Sequence, residues 1–363
     1  LEKIKICLVG NASSPHLKKF IGHLSKKFEV WVISHEKSSE ERVFYDGDFL
    51  PPLLRLRYLR FFGRVFLFRR LIKQIDPDIL HIHELNAFGL AAGILHFHPL
   101  VISVWGSDIR LRSPIKDWLK KKVLVNADAV LATSNFLKEE TNKFFGSEIV
   151  TQVTPFGVDL EKFHPGGKSR QDFLTIGFVK QLKKIYGPDL LLEAFIELKK
   201  EFKNLKLVFA GDGKELWGLT KRAQQARVSQ DVTFLGRIGE KDVIGTLQNL
   251  DIFVMPTRVP EAFGVAALEA QATGVSVIAA NAGGIPEVLK GGKTGLLFES
   301  GSLKDLKSKL RLLIEDASLR SALGSEGRKF VEKNYSLEET NKKMESVYAT
   351  LYKNFYPKKS GKS

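Results

Sequence analysis

Two successive series of short apolar runs, each run joined to the next by a helix-like segment, most constrain what this chain can fold into. In the first half the runs are IKICLVG (residues 4–10), FEVWVIS (28–34), DILHIH (78–83), LVISVWG (100–106) and DAVLATS (128–134). In the second they are FLTIGFV (173–179), KLVFAG (206–211), VTFLG (232–236), IFVMP (252–256), VSVIAA (275–280) and TGLLF (294–298). Such runs are apolar nearly throughout instead of alternating, which suits strands covered on both faces. Strands alternating with helices predict an α/β fold, a parallel doubly wound Rossmann-like sheet, here twice. The length of 363 residues is also long for one core. The turn GVDLEKFHPGG (157–167) ends in Pro165, Gly166 and Gly167, the expected linker. The expected division is therefore 1–166, 167–335, a last helix over 336–356 and a disordered tail over 357–363.

Charge and cysteine narrow the partners. A formal net charge of +15 calls for something anionic: a phosphorylated small molecule, an acidic membrane surface or nucleic acid. No interleaved aromatic platform or reading-helix motif favours nucleic acid, so none is expected. The single cysteine, Cys7, lies in an apolar run, which fits a reducing cytoplasm. The first strand begins almost at residue 1 with no signal-peptide pattern before it, and a start at Leu1 in place of Met is expected of a trimmed chain. Residues 87–106 carry no formal charge, but His96, His98 and Pro99 interrupt them; they are read as a helix and a buried strand, not a membrane span.

The stretch PEAFGVAALEAQATGVSVIAANAGGIPEV (260–288) carries the clearest chemistry. It follows the strand over 252–256 and opens a short helix that Gly274 ends. A helix N-terminus offers amide donors and positive dipole to a diphosphate, and Gly264 lets a phosphate come close to the backbone. Glu269, further into the helix, can accept hydrogen bonds from both ribose hydroxyls. Glu261, on the loop before it, can reach the hydroxyls of a sugar. Together these features describe a sugar-nucleotide site.

The pattern E-x-F-G-x-x-x-x-E, with its following strand and the Gly283–Gly284 turn, resembles the donor site of glycosyltransferase family 4. The resemblance implies the GT-B fold, two Rossmann-like domains facing a cleft with the last helix crossing back to the first. It also implies retaining transfer from a nucleoside diphosphate sugar, a UDP-sugar first and a GDP-sugar second, with no metal and no cofactor. The acceptor would be a glycan or lipid-linked saccharide in cell-surface polysaccharide synthesis. Phe263, Gly264 and Val265 join the two glutamates as donor residues. ADAVLATS (127–134) and PFGVDLEKFHP (155–165) resemble landmarks of the same family.

Family members usually supply an Arg and a Lys to the diphosphate from the loop after the second domain's first strand. Here those positions hold Gln181 and Tyr186. Lys180, and more weakly Lys184, are assigned to the diphosphate instead, solvated loop lysines being the alternative. Gly211, in the turn AGDGKE (210–215), is expected along the cleft, and Arg237 and Ile238 at the base. In the first domain VWGSDIR (104–110) resembles the family's cleft loop. Trp105 is read as a sugar-stacking face or a core aromatic, and Asp108 as an acceptor-binding catalytic residue or a turn aspartate. Asn11 and His16 sit on the acceptor side, and His83 is either near the cleft or a buried structural histidine. Catalysis is assigned to Glu261, Lys180 and Asp108.

No metal site is expected: Asp76–Pro77–Asp78 reads as a turn and the histidines lack ligand spacing. An NAD-linked dehydrogenase is excluded, because no G-x-G-x-x-G follows the first strand. A sugar-nucleotide epimerase of the same fold, or an inactive binding homologue, stays open.

Residues 53–73 suggest a membrane surface. Read as one helix, Leu54, Tyr58, Phe61, Val65, Phe68 and Ile72 form a core stripe. Leu59, Phe62 and Phe66 fall off it among Arg55, Arg57, Arg60, Arg64, Arg69, Arg70 and Lys73, with no acid between them. Surplus apolar groups beside unopposed cations suit an anionic interface, so a peripheral position on the inner face of the cell membrane is expected.

Overall fold

The computed structural model describes residues 3–51, 59–146, 148–167 and 172–357. The chain divides into two compact units: residues up to Phe156 with those from Thr340 onward, and Gly157–Glu339. Leu54, Arg55, Arg57 and Tyr58 of the basic segment, and positions 358–363 of the tail, lie outside the described residues.

The first unit is a seven-stranded parallel sheet in the order β3-β2-β1-β4-β5-β6-β7. Its strands are β1 (Lys5–Gly10), β2 (Glu29–Ser34), β3 (Val43–Tyr45), β4 (Ile79–His83), β5 (Leu100–Val104), β6 (Ala129–Ala132) and β7 (Thr151–Val153). Strand β3 is too short and half-buried to register as an apolar run. The second unit has six parallel strands in the order β10-β9-β8-β11-β12-β13. These are β8 (Leu174–Val179), β9 (Leu205–Ala210), β10 (Val232–Gly236), β11 (Ile252–Met255), β12 (Ser276–Ala280) and β13 (Leu296–Phe298). In each sheet the winding reverses once, between β1 and β4 and between β8 and β11. In such sheets ligands bind outside the carboxyl ends of the strands at that reversal.

Pro165, Gly166 and Gly167 do not divide the chain. The turn that holds them belongs to the second unit: Arg328 donates to the Phe163 carbonyl and Gln248 to the His164 carbonyl. The last helix, Leu337–Phe355, runs across the division, and from Thr340 its residues pack in the first unit. There Tyr348 is fully buried and its hydroxyl pairs with His81 Nδ1 at 2.6 Å.

The basic segment folds differently from its predicted stripe. Helix Arg60–Ile75 buries Gly63, Leu67, Phe68, Leu71, Ile72 and Ile75. Phe61 and Val65 are only half-buried. Gly63 does not break the helix; it sits in the packed face. An acid does oppose these cations, supplied from elsewhere: buried Asp46 accepts from Arg64 Nε at 2.7 Å and lies 3.7 Å from Arg60. Phe62 and Phe66 stand exposed, as do Arg69, Arg70 and Lys73.

Candidate active site

At the reversal of the second sheet, the loops after β8 and β11 meet. Lys180 leaves β8 and Glu261 lies on the loop after β11. The Lys180 ammonium donates to Glu261 Oε1 at 2.5 Å and sits 4.3 Å from the Tyr186 ring centroid. Tyr186, where the family resemblance leads one to expect a lysine, thus forms a face that holds one. Burial, then the Glu261 charge, pushes its hydroxyl above the ordinary value.

Glycines fix this geometry. The Gly283 backbone (φ +66°) runs beside Glu261, and a Cβ there would meet the Glu261 carbonyl oxygen at 2.2 Å. Gly284 N donates to that oxygen at 2.8 Å. The Gly-Gly turn therefore clamps the backbone that carries Glu261. Gly211 (φ +151°) does the same for Lys180, whose carbonyl a Cβ would meet at 2.0 Å. The G-D-G turn is thus a backing for the lysine loop: Leu182 N donates to the Asp212 carbonyl and Glu215 N to the Leu182 carbonyl.

Gly264 caps the helix Val265–Ala272 with φ +112° and ψ 43°, a conformation that favours glycine. Phe263 is buried with its ring 5.8 Å from that of Tyr335, which anchors the helix entry. Glu269 is the fifth residue of the helix and half-buried. Lys184 is exposed, Arg237 is exposed just beyond β10, and Ile238 is half-buried. Arg258, which no sequence motif marks, also belongs here. It forks onto Asp189 (2.6 and 2.9 Å) and donates to the Lys184 carbonyl, pinning the β8 loop to the β11 loop. A cation on a loop after a switch-point strand was the available signal.

The first unit gathers its own cluster at its reversal. Gly10 at the end of β1 lies against His83 at the end of β4; a Cβ there would meet His83 Cβ at 3.1 Å. His16 stacks on Phe156 (4.4 Å between centroids) and meets the Trp105 edge (5.8 Å). Trp105 also packs edge-on to His83 at 5.6 Å. Burial and nearby Lys19 lower the His16 pKa to about 4, and burial lowers that of His83 to about 3. Both rings are therefore neutral near pH 7. Both His83 nitrogens are buried without a hydrogen-bond partner in the protein. Phe156, missed as a site residue, closes this aromatic group.

Asp108 is not placed as a catalytic carboxylate. It is 6% exposed, and its oxygens accept from the amides of Leu85, Trp105 and Gly106. It ties the loop after β4 to the loop after β5. Burial raises its pKa against those amide bonds, which lower it. Asn11 is likewise engaged in its turn, its side chain accepting from Ser13 N at 2.9 Å. Glu84, unmarked by the sequence, follows His83 in the left-handed region (φ 73°). Burial, then the Asp108 charge, raises its pKa. Among the described residues no three His, Cys, Asp or Glu side chains group as metal ligands would.

The model for group 1 glycosyl transferases matches residues 159–330, and that for glycosyl transferase 4-like domains matches residues 5–134. The chain belongs to glycosyltransferase family 4. Among its relatives is a GDP-mannose-dependent monoacylated alpha-(1-6)-phosphatidylinositol monomannoside mannosyltransferase of Corynebacterium glutamicum. It is 31% identical over 244 residues, covering 62% of this chain and 63% of the relative. A D-inositol 3-phosphate glycosyltransferase of Corynebacterium jeikeium is 32% identical over 224 residues, 56% of this chain and 53% of the relative. The matches thus span less than two thirds of either relative. Sucrose-phosphate synthase from Thermosynechococcus elongatus superposes with a TM-score of 0.81 at 19% identity, covering 96% of this chain and 99% of its own. That likeness concerns the fold, which is GT-B.

Proposed function

We propose that this family 4 protein transfers a glycosyl group from a nucleoside diphosphate sugar to a hydroxyl of a glycan or lipid-linked saccharide, with retained configuration. The observation that carries this reading is the meeting of Lys180 and Glu261 at the β8/β11 reversal, Glu261 lying on the loop that leads to helix Val265–Ala272. The ammonium and the helix N-terminus neutralise the departing diphosphate, the largest electrostatic demand of the reaction. Glu261 orients the sugar hydroxyls and Glu269 holds the ribose. No divalent metal is needed, because the protein's own positive groups stabilise the leaving group. The acceptor proton passes to the β-phosphate.

The residues support a diphosphate and a ribose and leave the base to be assigned. The family resemblance implies a UDP-sugar first; the Corynebacterium glutamicum relative is named for GDP-mannose, which makes GDP an equal first trial. Thermal shifts with UDP, GDP, ADP and CDP, then product analysis with the matching sugar nucleotides, test the reading. A shift with one diphosphate and an acceptor-dependent glycoside of retained configuration, formed in EDTA, is expected. Absence of any nucleotide shift would overturn it, and sugar isomerisation without acceptor would move the protein to the epimerases.

We place the reaction at the inner face of the cell membrane. The support is the exposed Phe62 and Phe66 beside Arg69, Arg70 and Lys73. Among the described residues no helix is long and apolar enough to cross a membrane.

A further inference from the structure

Helix Pro114–Val125, outside the site described above, turns an unusual face to solvent. Ile115, Trp118 and Val125 are 83%, 61% and 50% exposed. Their spacing puts them on one stripe, which Lys122 shares. The Lys122 ammonium lies 4.1 Å from the centroid of the Trp118 ring. Lys121 borders the stripe and Lys116 lies in the helix's first turn; both are exposed. Val123 and Leu124 hold the opposite side in the core.

Behind this stripe a cavity of about 570 Å³ opens between the helix and the end of helix Ala87–Gly93. Ile94, Trp118, Leu119, Val123 and Val125 give it mostly apolar walls, and Lys121 and Lys122 also line it. Its size is that of small-ligand sites.

The surrounding layer has the same character. The chain runs in one direction along the sheet from β3 back to β4, and on to β5 and β6. Right-handed crossovers then put Arg60–Ile75, Ala87–Gly93 and Pro114–Val125 on one side. The first packs on the second, and the second on the third. Phe62, Phe66, Arg69 and Arg70 are therefore in the same layer as Trp118 and Lys122. The acids near the cavity are engaged: Asp117 with Arg112 and Lys120, and Glu148 with Lys121 at 3.1 Å.

We propose that this cavity takes an acyl chain of an anionic phospholipid in a bilayer, with Lys116 and Lys122 facing the phosphate headgroup. Helix Pro114–Val125 then lies in the membrane interface, its apolar stripe among the chains and its ammonium groups at headgroup level. An apolar groove alone would suit a protein partner equally well. Lys120 and Lys121 are matched by Asp117 and Glu148, and the charges of Lys116 and Lys122 that remain favour an anionic lipid. The proposal rests on the membrane position given under Proposed function, and assigns the surface and the ligand.

The test is co-sedimentation of the full chain with vesicles of phosphatidylcholine, with or without phosphatidylglycerol, together with quenching of tryptophan emission by brominated acyl chains. Binding at least tenfold stronger to the anionic vesicles is expected. Trp118→Ser with Val125→Ser, and Lys116→Glu with Lys122→Glu, should each weaken it about tenfold. These positions are exposed, so the fold should tolerate the changes; nucleotide thermal shifts, which read the second unit, should equal those of the unaltered chain. Quenching should vanish in Trp118→Phe. Binding to no vesicle, equal binding to neutral and anionic vesicles, unweakened binding by either pair, or quenching that survives Trp118→Phe overturns the proposal. Vesicle binding as expected without any nucleotide shift would instead sink the transferase reading alone.

Discussion

Lys180 takes its position from three neighbours. The Tyr186 ring lies under its ammonium, Glu261 accepts a hydrogen bond from it, and Gly211 allows its backbone to lie against the G-D-G turn. Lys180→Ala should therefore weaken nucleoside diphosphate binding by roughly 1.5–3 kcal/mol, the range for a hydrogen bond to a charged group. Glu269→Ala should cost roughly 1–3 kcal/mol for the same reason. Calorimetric titration of both variants checks this, and unchanged affinity in both would remove the donor assignment. His83 gives a pH prediction. Its pKa falls from 6.5 to about 3 on folding, so below pH 6.5 the unfolded chain takes up a proton that the folded one does not. Stability is full above the unfolded value and drains as pH falls from there toward about 3. His16, lowered to about 4, acts in the same direction. Urea midpoints at pH 7 and pH 5 should differ more in the unaltered chain than in His83→Leu.

At the scale of elements, the loops after β8 and β11 are held by backbone close approach more than by side chains. Gly187 (φ +71°) passes the Pro256 carbonyl so closely that a Cβ would lie 2.0 Å from its oxygen. Gly187→Ala and Gly283→Ala should each cost about 1–3 kcal/mol from strain alone, with the clash in addition. Both should lower nucleotide affinity as well as the melting temperature. Gly245 sits inside helix Glu240–Gln248, and a Cβ there would meet nothing within 4 Å. Gly245→Ala should be neutral or stabilise by about 0.5–1 kcal/mol, which separates helix propensity from loop geometry in the same assay. The Arg258 fork onto Asp189 belongs to the same scale: it joins the two loops that carry Lys180 and Glu261.

At the scale of the molecule, each unit has its own sheet and its own reversal. The last helix makes the first unit depend on the chain's far end. Tyr348, 267 residues from His81, supplies the hydroxyl that pairs with its buried Nδ1, while Ser103 pairs with Nε2 at 2.8 Å. Glu345 adds contacts of 2.7 Å to both His23 and Lys27. Tyr348→Phe leaves a buried imidazole nitrogen unsatisfied and should cost about 1–3 kcal/mol. The loss should show in unfolding of the first unit, with nucleotide binding by the second unchanged.

The sequence by itself determined the two parallel sheets, because unbroken apolar runs joined by helical segments admit little else. It also singled out the 260–288 stretch, where the residue types, their spacing and the strand–helix–strand frame agree. Its limits show in particular residues. Asp108 reads as either a reactive carboxylate or a turn aspartate from its loop; the amides of Trp105 and Gly106 in its own turn, and that of Leu85 from the loop after β4, occupy it. Tyr186 reads as a lost lysine, yet its ring supports Lys180 from across the turn. The cations of residues 60–64 read as unopposed, yet Asp46 is folded against them. The Pro165–Gly167 turn reads as a linker, yet Arg328 and Gln248 bind it to the second unit. Local pattern fixes where an apolar run or a turn can fall. Which partner satisfies a buried charge or amide depends on segments brought together by packing, so only the tertiary structure decided that.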